Sequence, residues 1–206
     1  MKKLLLTLVL AFFAMLQGFS QTPIVESFEG AWPPSGWTIT GFTQETQRGF
    51  DGQKSAVCDY SVYDGRIILP SYVAGEHTTF SFYVSCAFPS WAYLNTFTVE
   101  VSTSVESPSW TVVQTISYPT DDITFLYNEV DLSSYAGQEI LVSLHVVPND
   151  GADTYVDLVS LYENLCPRPT GLTATSTTMT SAQLSWADAN NAGTYALQVI
   201  PFEADW

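Results

Sequence analysis

The sequence predicts an all-β chain built as a sandwich of the jelly-roll kind, and three observations carry that prediction. Apolar and polar residues alternate with period two along most of the chain after residue 20. Helical periodicity is nearly absent over the same stretch. Turn-forming pairs punctuate the alternating runs at short intervals: Asp51-Gly52, Asp64-Gly65, Ala74-Gly75, Ala136-Gly137 and Asn149-Asp150-Gly151. Roughly ten short strands at regular spacing is the pattern of a sandwich or jelly roll.

The elements follow in order. Residues 1–20 read as an export signal: Lys2 and Lys3, an apolar run from Leu4 to Leu16, then the small residues Gly18 and Ser20 before Gln21. The run is short for a membrane anchor and carries no cysteine for acylation. Thr79–Ser85, Phe97–Thr103 and Trp110–Ile116 alternate and are expected to be strands. Ile140–Val146 is apolar at most positions and is expected to be a central strand. Trp37, Trp110 and Trp186 are expected in the core, and Asn149–Asp153 in a hairpin turn. Cys166-Pro167-Arg168-Pro169 marks a boundary, because two prolines interrupt strand pairing. The expected organisation is signal peptide 1–20, a first domain 21–165 and a partial second domain 166–206.

Charge narrows the function classes. The formal net charge is −15, and once Lys2 and Lys3 are removed only Arg48, Lys54, Arg66 and Arg168 oppose 21 acidic residues. Nucleic-acid binding needs a basic surface to displace phosphate counterions, so no nucleic-acid partner is expected. An anionic membrane surface is disfavoured on the same ground, and no membrane insertion is expected after signal removal. Among the three cysteines, Cys58 and Cys86 fall in one predicted domain of an exported chain, and their pairing is the expected disulfide. Cys166 is then left over. Catalytic signatures are weak. His77 stands alone in a turn, and His145 in an apolar strand reads as a hydrogen-bonded structural histidine. No serine sits in a nucleophile elbow.

Several segments, in their order along the chain, resemble one family. These are Phe28-Glu29-Gly30 with Pro34-Ser35-Gly36-Trp37, then Ile67-Ile68-Leu69-Pro70, then Val99-Glu100-Val101-Ser102-Thr103. Asp131–Gln138 and the closing Tyr155-Val156-Asp157-Leu158-Val159 complete the set. Together they resemble the jelly-roll domains of the cleaved-adhesin, choice-of-anchor and MAM-like group. After the boundary, Pro169 and Leu172, Leu184 and Trp186, and Tyr195 resemble strands A, B and C of a fibronectin type III domain. Such a domain needs about 90–100 residues, so a fragment of an immunoglobulin-like sandwich is expected there.

The adhesin resemblance implies a secreted or cell-surface protein that binds extracellular protein or carbohydrate and does not catalyse. It also implies a structural Ca²⁺ joining the first and last strands, with Glu29 and Asp157 at the matching ligand positions; Asp51, in the Phe50-Asp51-Gly52 turn, is a further candidate, and the alternative is that all three are ordinary turn and edge carboxylates. Ca²⁺ takes six to eight oxygens, several from backbone carbonyls. Many relatives carry a second aspartate in the closing strand, where this chain has Leu158. Independently of the resemblance, Trp91 and Tyr93, in Phe88–Tyr93 between two strands, offer flat apolar faces with polar edges to a ligand. The alternatives are an accessory domain of a secreted hydrolase and a plain spacer. Burial of the loop aromatics would favour the spacer.

Overall fold

The computed structural model describes residues 21–122, 124–165, 170–178 and 181–187. The expected signal peptide, Cys166 and Tyr195 lie outside them. The chain divides into two compact units, residues 1–163 and 164–206.

The first unit is a jelly-roll β-sandwich of two antiparallel sheets. In chain order its strands are β1 (Ile24–Glu26), β2 (Thr38–Thr40), β3 (Thr43–Glu45), β4 (Ser55–Cys58), β5 (Gly65–Ile68), β6 (Tyr72–Val73), β7 (Thr78–Cys86), β8 (Thr96–Ser102), β9 (Thr111–Thr115), β10 (Leu126–Asp131), β11 (Glu139–Val147) and β12 (Thr154–Glu163). One sheet runs β10-β7-β12-β4-β3, with β1 also on β12. The other runs β2-β5-β11-β8-β9, with β6 also on β11. The second unit contributes a hairpin, β13 (Thr170–Thr177) and β14 (Ala182–Ala187), in which Leu184 and Trp186 are half-buried.

Period-two alternation builds the core directly, since successive strand residues face opposite sides of a sheet. Phe80, Phe82 and Val84 of β7 point inward with Val156, Val159 and Leu161 of β12. They meet Phe97, Val99 and Val101 of β8 and Ile140, Val142, Leu144 and Val146 of β11. The opening segment closes one side: Phe28 is fully buried, with its ring 5.7 Å from Trp32 and 6.0 Å from Trp37.

Three expectations are corrected here. Residues 148–153 do not form a hairpin; they carry the chain from β11 in one sheet to β12 in the other. Trp110 is not in the core. It lies just before β9, beneath the Arg66 guanidinium at 4.9 Å from its ring centre. Cys58 and Cys86 are buried free thiols. Both are registered on Thr154, from β4 on one side of β12 and β7 on the other. Two strand spacings separate them by about 9–10 Å, beyond the reach of a disulfide. Burial, reinforced by Asp59, Asp153 and Asp64, pushes the Cys58 thiol up to about 12. Burial also pushes Cys86 up to about 11, against the opposing pull of Arg48. Neither is a reactive thiolate near neutral pH.

Candidate functional site

The loops at one end of the first sandwich carry several of the aromatics that the core leaves out. Phe88 stands at a left-handed φ of 58° just before the short 3₁₀ turn Pro89–Leu94. That backbone region is unfavourable for a bulky residue and persists only where the surroundings enforce it. The 3₁₀ turn advances about 120° per residue, so positions two apart diverge. Trp91 and Tyr93, both singled out in the sequence, therefore face different grooves. Trp91 lines one of about 280 Å³ with Tyr60, Phe88, Asp150 and Gly151. Tyr93 lines another of about 600 Å³, with Asn95 and Tyr118 among its neighbours. Phe88 is 58 % exposed, Trp91 53 % and Tyr60 46 %. These values fit presentation to a partner and not closure of the core.

Asn95, which sequence reasoning missed, holds this end together. Its Nδ2 donates to the Ala152 carbonyl at 2.8 Å and to Thr154 Oγ1 at 3.2 Å. Its Oδ1 accepts from Ala152 N at 2.9 Å. From the other side, Asn149 Nδ2 donates to the Leu94 carbonyl. The 148–152 link is thereby clamped onto the 3₁₀ turn, with Asn149 and Asp150 both at left-handed φ. A Cβ on Gly151 would lie 2.1 Å from Asn95 Oδ1, 2.7 Å from the Pro148 carbonyl and 2.9 Å from that of Trp91. Only glycine allows this approach. Beneath it sits a small buried cluster of Cys86, Ala92 and Ala152, against which Tyr118 packs. Tyr60 is fixed from below, its N–H donating to Asp153 Oδ1 at 2.8 Å. Burial raises the Asp153 carboxyl above its ordinary value, partly offset by that hydrogen bond.

The expected calcium residues hold a different structure. Residues 46–54 form a strap over the outer face of the β7–β12 sheet. Phe50 stacks on Tyr83, ring centres 3.5 Å apart, and the Arg48 guanidinium lies 4.1 Å over Tyr155. Arg48 Nη2 also donates to Ser85 Oγ, the Cys86 carbonyl and the Asp122 carbonyl. Asp157 is fully buried under the strap. A bulge in β12 next to Leu158, itself at φ 44°, sets its direction. Asp157 Oδ2 accepts from Phe50 N at 2.6 Å and Asp51 N at 2.9 Å, and Oδ1 accepts from Leu158 N at 2.7 Å. Burial pushes its carboxyl up against these three N–H groups, and the Asp51 charge pushes the same way. Glu29 grips the far end of the strap, its Oε1 accepting from Gln53 N and Lys54 N.

Glu29 and Asp157 thus fasten two ends of one strap, and Asp51 meets Asp157 through its backbone. The nearby carbonyls are occupied as well. Gln44 Nε2 donates to those of Phe28 and Gly30, and Lys54 Nζ to that of Glu29 at 2.9 Å. Among the described residues, no three His, Cys, Asp or Glu gather as a metal-holding group. As they stand, the Glu29 Oε1 and Asp157 oxygens accept from backbone N–H donors. The melting midpoint of the protein is expected to be the same in calcium and in excess EGTA. A ligand that binds only the folded state must raise the midpoint, so a calcium-dependent rise would return the ion to Glu29 and Asp157.

On the outer face of the other sheet lies a charge network that the sequence did not announce. Glu100 is buried, with Oε2 2.6 Å from Arg66 Nη1 and Oε1 2.8 Å from His145 Nδ1. Thr98 Oγ1 donates to Oε1 as well, and His145 Nε2 reaches Asp64 at 3.1 Å. Burial pushes the Glu100 carboxyl up, but the hydrogen bonds and charges of Arg66 and His145 outweigh it and hold the group below its ordinary value. His145 is a hydrogen-bonded strand histidine here. Glu100 and Asp64 bond its ring, and Arg66 and Thr98 flank it on the neighbouring strands.

No protein-family model matches the chain, and no curated protein matches it. Solved structures do match. The K1 cleaved adhesin domain of Lys-gingipain from Porphyromonas gingivalis W83 is similar over 70 % of this chain and 99 % of that one, at 20 % identity and a TM-score of 0.56. The K3 cleaved adhesin domain is similar over 67 % and 95 %, at 17 % identity and a TM-score of 0.51. The K2 cleaved adhesin domain is similar over 68 % and 97 %, at 14 % identity and a TM-score of 0.51. At these identities the likeness establishes the fold: the chain carries a jelly-roll β-sandwich similar to the cleaved adhesin domains.

Proposed function

We propose that this chain is a non-catalytic binding module of a secreted or cell-surface protein, and that it engages extracellular protein or carbohydrate through the loop end around Trp91. The observation that carries the reading is the groove where Tyr60, Phe88 and Trp91, each about half exposed, are held by a clamped backbone. Half-exposed aromatics on a rigid support lose little entropy when they are covered, which is how binding hot spots work. A pure spacer would have no reason to hold Phe88 outward at a left-handed φ. The similarity to cleaved adhesin domains supports the same class through the fold.

The test is a screen of the mature chain on arrays of glycans and extracellular-matrix proteins. Genuine ligands are expected to lose at least about tenfold in affinity in Trp91→Ala, because deleting a central aromatic anchor commonly costs 2 kcal/mol or more. The same ligands should be retained by Tyr127→Ala, on the outer face of the β7–β12 sheet. Ligands lost in Tyr127→Ala and kept in Trp91→Ala would move the binding surface to that face. There Tyr83 lies between Phe50 and Tyr127, at 3.5 and 5.3 Å between ring centres.

A further inference from the structure

We propose that the groove between Tyr60, Phe88 and Trp91 takes a cationic side chain, an arginine or lysine on an exposed segment of a partner protein. The inference rests on the binding-module reading and names the chemistry of its ligand. Aromatic faces are electron-rich and attract cations, and a carboxylate at the rim supplies the countercharge. Three aromatic side chains and Asp150 line this one groove. Asp153, bound to Tyr60 N, and Asp59, next to Tyr60 in the chain, add negative charge nearby. No lysine or arginine lines the groove among the described residues.

Among the described residues of the first unit, the basic side chains are committed elsewhere: Arg48 to Ser85 and Tyr155, Lys54 to the Glu29 carbonyl, Arg66 to Glu100. Two of these engagements display the chemistry that the groove leaves unfilled. Arg66 is held between the Trp110 face and the Glu100 carboxylate, and Arg48 lies over the Tyr155 ring. Trp91 with Asp150 repeats the pairing of indole and carboxylate seen at Trp110 and Glu100, but opens to solvent. A saccharide would call for several polar side chains beside the rings to meet its hydroxyls. Beyond the Tyr60 hydroxyl and the Trp91 indole N–H, this lining offers one carboxylate and the backbone of Gly151. A net charge of −15 draws basic segments toward the protein and repels acidic ones.

The experiment titrates the mature chain with acetyl-Gly-Arg-Gly-amide and with the same peptide carrying citrulline, the neutral isostere of arginine. Binding is followed by calorimetry at low salt. The arginine peptide is expected to bind about tenfold more tightly than the citrulline peptide. It should weaken several-fold in 0.5 M NaCl and weaken at least fivefold in both Trp91→Ala and Asp150→Asn. Asparagine accepts a left-handed φ, so Asp150→Asn removes the charge and keeps the loop; an unchanged melting midpoint verifies this. Equal affinity for the two peptides, or binding untouched by Trp91→Ala, overturns the proposal. If neither peptide binds while an arrayed glycan is still lost in Trp91→Ala, the binding surface stands and its cationic ligand falls. If no ligand of any kind depends on Trp91, both fall.

Discussion

Glu100→Ala is expected to destabilise the first unit by about 3 kcal/mol, because it strands the partly buried Arg66, whose side chain is 18 % exposed. Removing one partner of a buried ion pair leaves the other charge uncompensated, and that loss far exceeds the net worth of the intact pair. Arg66 Nη1 would keep only Ser143 Oγ at 2.9 Å and the Trp110 face. His145 Nδ1 would lose its partner at 2.8 Å. A melting midpoint lower by roughly 10 °C or more is the measurable result. Glu100→Gln keeps acceptor geometry without the charge and should fall between the two.

The pH dependence separates charge from packing. Glu100 has a folded-state pKa lowered from its ordinary 4.5. Its stabilising contribution is therefore complete above about pH 4.5 and is lost as pH falls through the lower folded value. The stability gap between wild type and Glu100→Gln should be widest near neutral pH and narrow on acidification below about 4.5. A gap that stays constant down to pH 3 would mean that the charge on Glu100 contributes nothing.

Asp157→Ala is the second large effect, and it should act on the strap more than on the sandwich. Three backbone N–H groups, from Phe50, Asp51 and Leu158, end on this buried carboxylate. Orphaning buried donors costs about 1–3 kcal/mol each, reduced where water can enter. A loss of roughly 3 kcal/mol is expected. Hydrogen exchange should show Phe50 and Asp51 amides losing protection, while the central strands β7 and β11 retain theirs. The Phe50–Tyr83 stack and the Arg48 anchors still hold the strap, so it should loosen without leaving. Unchanged exchange at Phe50 and Asp51 would show that Asp157 does not fasten it.

Much of the sandwich was legible because alternation is local. The expected strand Thr79–Ser85 is β7, and Ile140–Val146 is β11 to within a residue at either end. Sheet membership was not legible, since β7 pairs with β12 across separations from 68 (Cys86 to Thr154) to 85 residues (Thr78 to Glu163), and no local pattern reports such a partner. The same ignorance explains the corrections. Asn149–Asp153 has the composition of a hairpin turn, yet the strands it joins lie in different sheets. Cys58 and Cys86 share a domain but are held apart by the strand between them. Trp110 reads as an apolar strand residue, and only register reveals Arg66 above it. At the candidate site, Trp91 could be singled out because it sits in a loop-like segment. Tyr60, Phe88 and Asn95 could not, because their roles depend on the 148–152 link being clamped beside them.

In our reading, ligand contact occurs at the loop end of the first sandwich. Hydroxyl-radical footprinting of the protein, free and saturated with a ligand taken from the arrays, tests this most directly. Tyr60, Phe88 and Trp91 are expected to oxidise readily in the free protein and to become protected together in the complex, while Phe50 and Tyr127 remain unchanged. Protection of Phe50 and Tyr127 with continued oxidation at Trp91 would contradict it.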